Sequence, residues 1–175
     1  MKPRVKAWQL MLGASVMVCL LAAAALSADK EKEEGKEQKL TKKDLPAAVV
    51  TAFEKSYPKA VIKEVSKETE DSTTTYEIVS VDGTVARTVA YTADGKVAEI
   101  EEVVKVRDLP QAAQQALAKD YPKAKLERVE KVIKGGVTTF EVLVVAGKER
   151  TEVVLDSAGK QVKSEKKSEE EKDED

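Results

Sequence analysis

The chain contains no histidine and one cysteine, and only 4% of its 175 residues are aromatic. Without imidazole there is no histidine base, no Ser-His or Cys-His nucleophile pair and no histidine-rich metal site. An excess of positive charge is missing too. Thirty Lys and Arg against 32 Asp and Glu leave a net charge of −2, the wrong sign for electrostatic capture of a nucleic acid.

What is present begins with an N-terminal leader. Residues 1–28 carry Lys2, Arg4 and Lys6 and no acid, and an apolar stretch over 7–26 is broken only by Gln9, Gly13 and Ser15. It closes on Ala22 to Ala25, Leu26, Ser27 and Ala28 before charges resume at Asp29. A basic start, an apolar middle and small residues at the end describe a secretory signal peptide, with cleavage after Ala28. The alternative is an uncleaved anchor, since the apolar stretch approaches the roughly 20 residues a spanning helix needs. The expected destination is the periplasm or the extracellular space. Cys19 lies within the leader behind Val18, which is larger than a lipoprotein processing site takes. The mature chain would hold no disulfide.

Residues 29–43 are almost all Lys and Glu, read as a charged linker, and residues 164–175 read as a disordered acidic tail. Between these flanks the sequence repeats itself. Asp44-Leu45-Pro46 recurs as Asp108-Leu109-Pro110, and Tyr57-Pro58-Lys59-Ala60 as Tyr121-Pro122-Lys123-Ala124. Over residues 44–103, a shift of 64 gives 21 identities in 60 positions without a gap, which marks an internal duplication. The expected repeats are 44–106 and 107–163.

Leu45, Ala48, Val49, Ala52 and Phe53 share one helical face, as do Leu109, Ala112, Ala113, Ala116 and Leu117. Asp44 and Asp108 are expected to cap these helices, with Pro46 and Pro110 in the first turn. Pro58 and Pro122 end them. The period then changes to two, predicting strands at 60–67, 73–81, 85–92 and 96–104, with turns at Asp82-Gly83 and Asp94-Gly95. The fold class is α+β: in each copy a helix followed by a four-stranded antiparallel meander. About 60 residues make a marginal core alone, so the copies are expected to pack together, in a continuous sheet of up to eight strands. Two- and three-residue loops at Asp82-Gly83 would pair different residues, leaving the register open.

On the second strand, Tyr76, Ile78 and Ser80 match Phe140, Val142 and Val144 and are expected beneath the helices. Thr75, Glu77, Val79 and Val81 match Thr139, Glu141, Leu143 and Val145 on the other face. With one helix per copy, that face stays open. The four aliphatic residues would form an apolar patch suited to a protein partner, unless the copies or the charged flanks cover it.

The order Asp-Leu-Pro-x-x-Ala, Tyr-Pro-Lys-Ala, Tyr/Phe-Glu and x-Gly-Lys resembles the PepSY-like family, also described as β-lactamase-inhibitor-like. The resemblance covers both copies. It implies a helix on a four-stranded antiparallel sheet in an exported bacterial protein, and relatives in fold use a sheet made of two copies to grip an enzyme. It carries over no inhibitory residue. This chain departs from strict repetition at Ala158, which replaces the equivalent of Asp94, and at Phe140, which replaces that of Tyr76.

Residues arranged for chemistry are scarce. Ser56-Tyr57-Pro58-Lys59 has the spacing of a serine beside a lysine base, but its proline breaks the turn and the second copy has Asp120 in place of the serine. Ser164-Glu165-Lys166-Lys167 lies in the tail. Glu101 and Glu102 point to opposite sides of a strand. Asp82-Gly83 and Asp94-Gly95 are explained by their turns rather than by calcium. The expectation is a non-enzymatic module with no catalytic residue, cofactor or metal. It would engage an unidentified protein, with inhibition of an enzyme as one form of that, and would touch a membrane only through an uncleaved leader. The alternatives are an envelope sensor or buffer that takes cations or small ligands on acidic residues, and a structural module without a ligand.

Overall fold

The computed structural model describes residues 37–70 and 73–167. The leader, Cys19, most of the charged linker and residues 168–175 lie outside the described residues. Nine strands follow in chain order: β1 (Gln38–Leu40), β2 (Val61–Glu70), β3 (Thr73–Asp82), β4 (Val85–Thr92), β5 (Val97–Val103), β6 (Lys125–Lys134), β7 (Val137–Ala146), β8 (Glu149–Asp156) and β9 (Gln161–Lys167). Two helices, α1 (Ala47–Ser56) and α2 (Gln111–Asp120), precede β2 and β6. The strands form one antiparallel sheet in the order β1 to β9, with no crossover. Every described hairpin is tight. Asp82 pairs with Val85 around Gly83-Thr84, and Lys134 pairs with Val137 around Gly135-Gly136. Both glycines of the second loop have positive φ, 57° and 78°, as a two-residue turn matching the strand twist requires.

The four strands expected in the first copy are present within a few residues, and the duplication extends to their irregularities. The ladder slips between Ile62 and Glu64 and again between Leu126 and Arg128. It slips also at the β4–β5 and β8–β9 pairings, beside Ala98 and Val162. Each pair of bulges is 64 residues apart, so both copies bend at the same places.

Each helix roofs its own core on one shared face of the sheet. Val49 and Phe53 of α1 pack with Val65, Ile78, Val89 and Tyr91. Ala113 and Leu117 of α2 pack with Val129, Phe140, Val142, Val144, Val153 and Leu155. The copies join through β5 and β6, where Glu99 pairs with Lys134 and Val103 with Glu130. Two small cores thus share one continuous backbone ladder.

Several expectations are corrected. The sheet has nine strands rather than eight, because the end of the charged linker adds β1. Its Leu40 pairs with Val65 and packs on the first core, so one apolar side chain is enough to draw the segment onto an open edge. The segment read as tail is strand through Lys167, paired with Arg150 and held by a 3.3 Å ion pair from Lys167 to Glu152. Asp44 and Asp108 do not cap the α-helices. They lie in 3-10 turns at Lys42–Asp44 and Val106–Asp108, where their carboxylates accept from the backbone N–H of Thr41 (2.8 Å) and Lys105 (3.1 Å). Leu45 and Leu109 follow in extended conformation and turn the chain under its helix. Pro46 and Pro110 then occupy the N-cap positions.

Candidate functional site

Register and burial place all eight predicted face residues opposite the helices. Glu77 lies between Ser66 and Ala90, and Val79 between Glu64 and Thr88. Thr75 and Val81 lie on the same side of β3. In the second copy, Thr139, Glu141, Leu143 and Val145 repeat the arrangement on β7, with Glu141 between Glu130 and Val154. Tyr76, Ile78, Ser80, Phe140, Val142 and Val144 take the helix side as expected, and most of them are fully buried.

The face is not the apolar patch that β3 and β7 alone suggest. Val79 and Val81 are separated from Leu143 and Val145 by three strands, and the intervening surface is acidic. Across β5 and β6 the ladder sets Glu99 beside Ala90 and Lys134, Glu101 beside Thr88 and Val132, and Glu130 beside Val103 and Glu141. The expected aliphatic side chains, all half-buried, therefore flank a strip of carboxyls. Reading only the second strand of each copy missed Glu99 and Glu130, and weighed Glu101 only as an acid/base pair with Glu102 rather than as part of this face. The same alternation carried across β5 and β6 would have found them, once the register was known.

These carboxyls are crowded and short of water. Burial pushes Glu101 up to about 8, helped by Glu130, Glu99 and Glu141 and opposed by Arg128. Burial likewise raises Glu141 to about 7, with Glu152, Glu130 and Glu99 adding to it and Lys163 opposing. Glu77 reaches about 7, from burial and from Glu68, Glu37 and Glu99, against Lys134. Two members have fixed cations: Arg128 donates to Glu130 at 2.6 Å and Lys134 to Glu99 at 2.7 Å. Glu141 is only 5% exposed, and its Oε1 has no hydrogen-bond partner within the protein. The same is true of the buried Glu99 Oε1 and Thr88 Oγ1 on the same face.

The helix side holds a different polar group, confined to the first copy. The Arg87 guanidinium lies 4.3 Å over the Tyr57 ring and 3.2 Å from Glu102 Oε1. Burial raises the Tyr91 hydroxyl to about 12. Thr151, Lys166 and Leu155 stand at the equivalent positions of Arg87, Glu102 and Tyr91, so this cluster belongs to the packing of one core. An open depression of about 450 Å³ lies along β1 and β2, lined by residues 39–42 and 62–65.

Neither Ser-x-x-Lys string assembles a catalyst. Ser164 and Lys167 are three apart on β9 and face opposite sides. Ser56 ends α1 while Lys59 lies past Pro58 in the following turn, both exposed. Among the described residues no group of three or more His, Cys, Asp or Glu is placed to hold a metal, and no helix is long and apolar enough to cross a membrane.

A family model described as beta-lactamase-inhibitor-like, PepSY-like matches residues 28–81 and 74–163. None of the curated proteins matches the chain. Among solved structures, a protein of Bacteroides eggerthii assigned to the periplasm superposes with a TM-score of 0.60 at 16% identity, covering 70% of this chain and 88% of its own. A BLIP-like protein of Bacteroides fragilis gives 0.57 at 20% identity, covering 70% and 86%. At these identities the likeness concerns the fold.

Proposed function

Because the chain belongs to the beta-lactamase-inhibitor-like, PepSY-like family, we propose that it is an exported, non-enzymatic binding module whose open sheet face engages another protein of the envelope or its surroundings. One observation carries the reading. A single nine-stranded sheet is roofed by both helices on one side, and the other side presents matching residues from the two copies. That surface is broad and continuous, which suits a protein better than a small molecule. The basic, apolar and small-residue zones of residues 1–28, and the periplasmic assignment of the B. eggerthii neighbour, support export. The BLIP-like neighbour makes inhibition of a hydrolase the first activity to assay.

The test is capture from an envelope extract by the chain and by a Val79→Asp/Leu143→Asp variant. Both positions are half-buried on the open face, so the added charges meet a partner before they disturb either core. A protein retained by the parent chain and lost from a variant with an unchanged circular dichroism spectrum is the expected result. Equal retention by both would reject the open face as the binding surface.

A further inference from the structure

The geometry points to the carboxyl strip at the junction of the two copies as the seat of a basic polypeptide segment, one presenting arginine or lysine side chains from the partner protein. This rests on the reading of the open face as a protein-binding surface and adds the chemistry of what that surface takes.

The strip is a product of duplication. Glu99 and Glu101 close the first copy on β5, Glu130 opens the second on β6, and Glu77 and Glu141 flank them on β3 and β7. Of the five carboxyls, Glu130 and Glu99 pair with Arg128 and Lys134, whereas the nearby Lys163 is itself paired with Glu165 at 2.9 Å, so the strip remains negative when its acids ionise. The atoms left without partners specify what it lacks. Glu141 Oε1 on β7 and Glu99 Oε1 on β5 are buried acceptors, and Thr88 Oγ1 on β4, across the ladder from Glu101, can accept as well. A guanidinium or ammonium group brings several N–H donors and the complementary charge together. From β3 to β7 the strip crosses four strand spacings, roughly 19 Å at about 4.8 Å each. That exceeds one side chain and fits an extended segment with more than one basic residue. Val79 at one end and Leu143 at the other offer apolar contact to its intervening residues.

The strip's own titration supplies a signature. A cation seated there favours the ionised carboxyls, and its binding therefore expels protons that Glu77, Glu101 and Glu141 otherwise hold near neutrality. The groups facing these three are Glu37, Glu68, Glu99, Glu130 and Glu152 with Arg128, Lys134 and Lys163. Lowering one carboxyl by one pKa unit on binding corresponds to about a tenfold change in affinity across its titration.

The experiment titrates the full chain with a labelled decapeptide of alternating glycine and arginine, and separately with spermidine, at pH 6 and pH 8.5 and fixed ionic strength. The peptide is expected to bind on the order of tenfold more tightly at pH 8.5. A Glu101→Gln/Glu141→Gln variant should lose that gain, whereas removal of residues 168–175 should leave it intact. The Gln side chains keep shape and remove charge, and a thermal melt verifies folding. A Glu99→Gln variant provides a second route if the double variant melts early. Equal binding to the parent and Gln variants, or binding unchanged between the two pH values, would overturn the proposal, as would spermidine matching the peptide. The envelope-capture test fails independently: a partner still held by the Val79→Asp/Leu143→Asp variant removes the protein-binding surface but leaves the strip's peptide affinity standing.

Discussion

At the scale of single residues, the open face stores a conflict. Glu77, Glu101 and Glu141 bind their protons more tightly in the folded chain than in the unfolded one, where a glutamate titrates near 4.5. Their stabilisation is complete below that value and is lost as pH rises through about 7 to 8. Melting temperature should therefore fall between pH 5 and pH 8.5, and a rising or flat profile in differential scanning calorimetry would contradict these carboxyl environments. Replacing Glu101 by Gln removes part of the conflict. It should raise the melting point at pH 8.5 by about 2–4 °C and leave it unchanged at pH 5. Asp94 behaves in the opposite way. Lys96 and Thr92 hold its carboxyl down to about 2, so its contribution disappears only in strong acid.

At the scale of elements, the β4–β5 and β8–β9 turns show how tightly each helix sits on its sheet. Gly95 has φ +80°, and a β-carbon there would stand 2.7 Å from the Ala48 carbonyl oxygen; at Gly159, φ +78°, the distance to the Ala112 oxygen would be 2.5 Å. Backbone meets backbone, so nothing flexible can give way. Gly95→Ala and Gly159→Ala should each cost about 1–3 kcal/mol in urea unfolding, whereas Gly83→Ala, with open space around it, should cost less. These turns also show what the sequence disclosed. The glycines, prolines and change of period located both helices and four strands of the first copy, because each is a local signal. Leu40 gave no such signal: a single apolar residue in a charged run becomes a strand only when the edge of β2 is there to receive it. The Asp44 cap was misplaced because Asp-Leu-Pro fits both a helix cap and a 3-10 turn. Only the extended Leu45 between them decides.

At the scale of the whole molecule, the two copies cannot be regarded as neighbours in a string. Their cores are separate, yet β5 and β6 share a ladder from Glu99–Lys134 to Val103–Glu130. A chain cut after residue 106 would expose the β5 edge and divide the carboxyl strip. Small domains of this size are marginal, and the isolated halves should show broad, low-temperature thermal transitions by circular dichroism where the intact chain shows one cooperative melt. Two halves that each melt as sharply as the whole would show that the shared ladder adds nothing. The candidate site was hardest to read for the same reason. Its residues come from the end of one repeat and the start of the next, and their proximity depends on a pairing that neither repeat encodes alone.

The order of the sheet has a consequence in time. Every strand lies beside the one made just before it, so no strand has to wait for a partner later in the chain, and closure is short everywhere except across the two helix-bearing connections, from β1 to β2 and from β5 to β6. A chain delivered N-terminus first can add each strand to the growing edge as it emerges. The last piece laid down is β9, and until β6 arrives the acidic residues of β5 stand at an unfinished border.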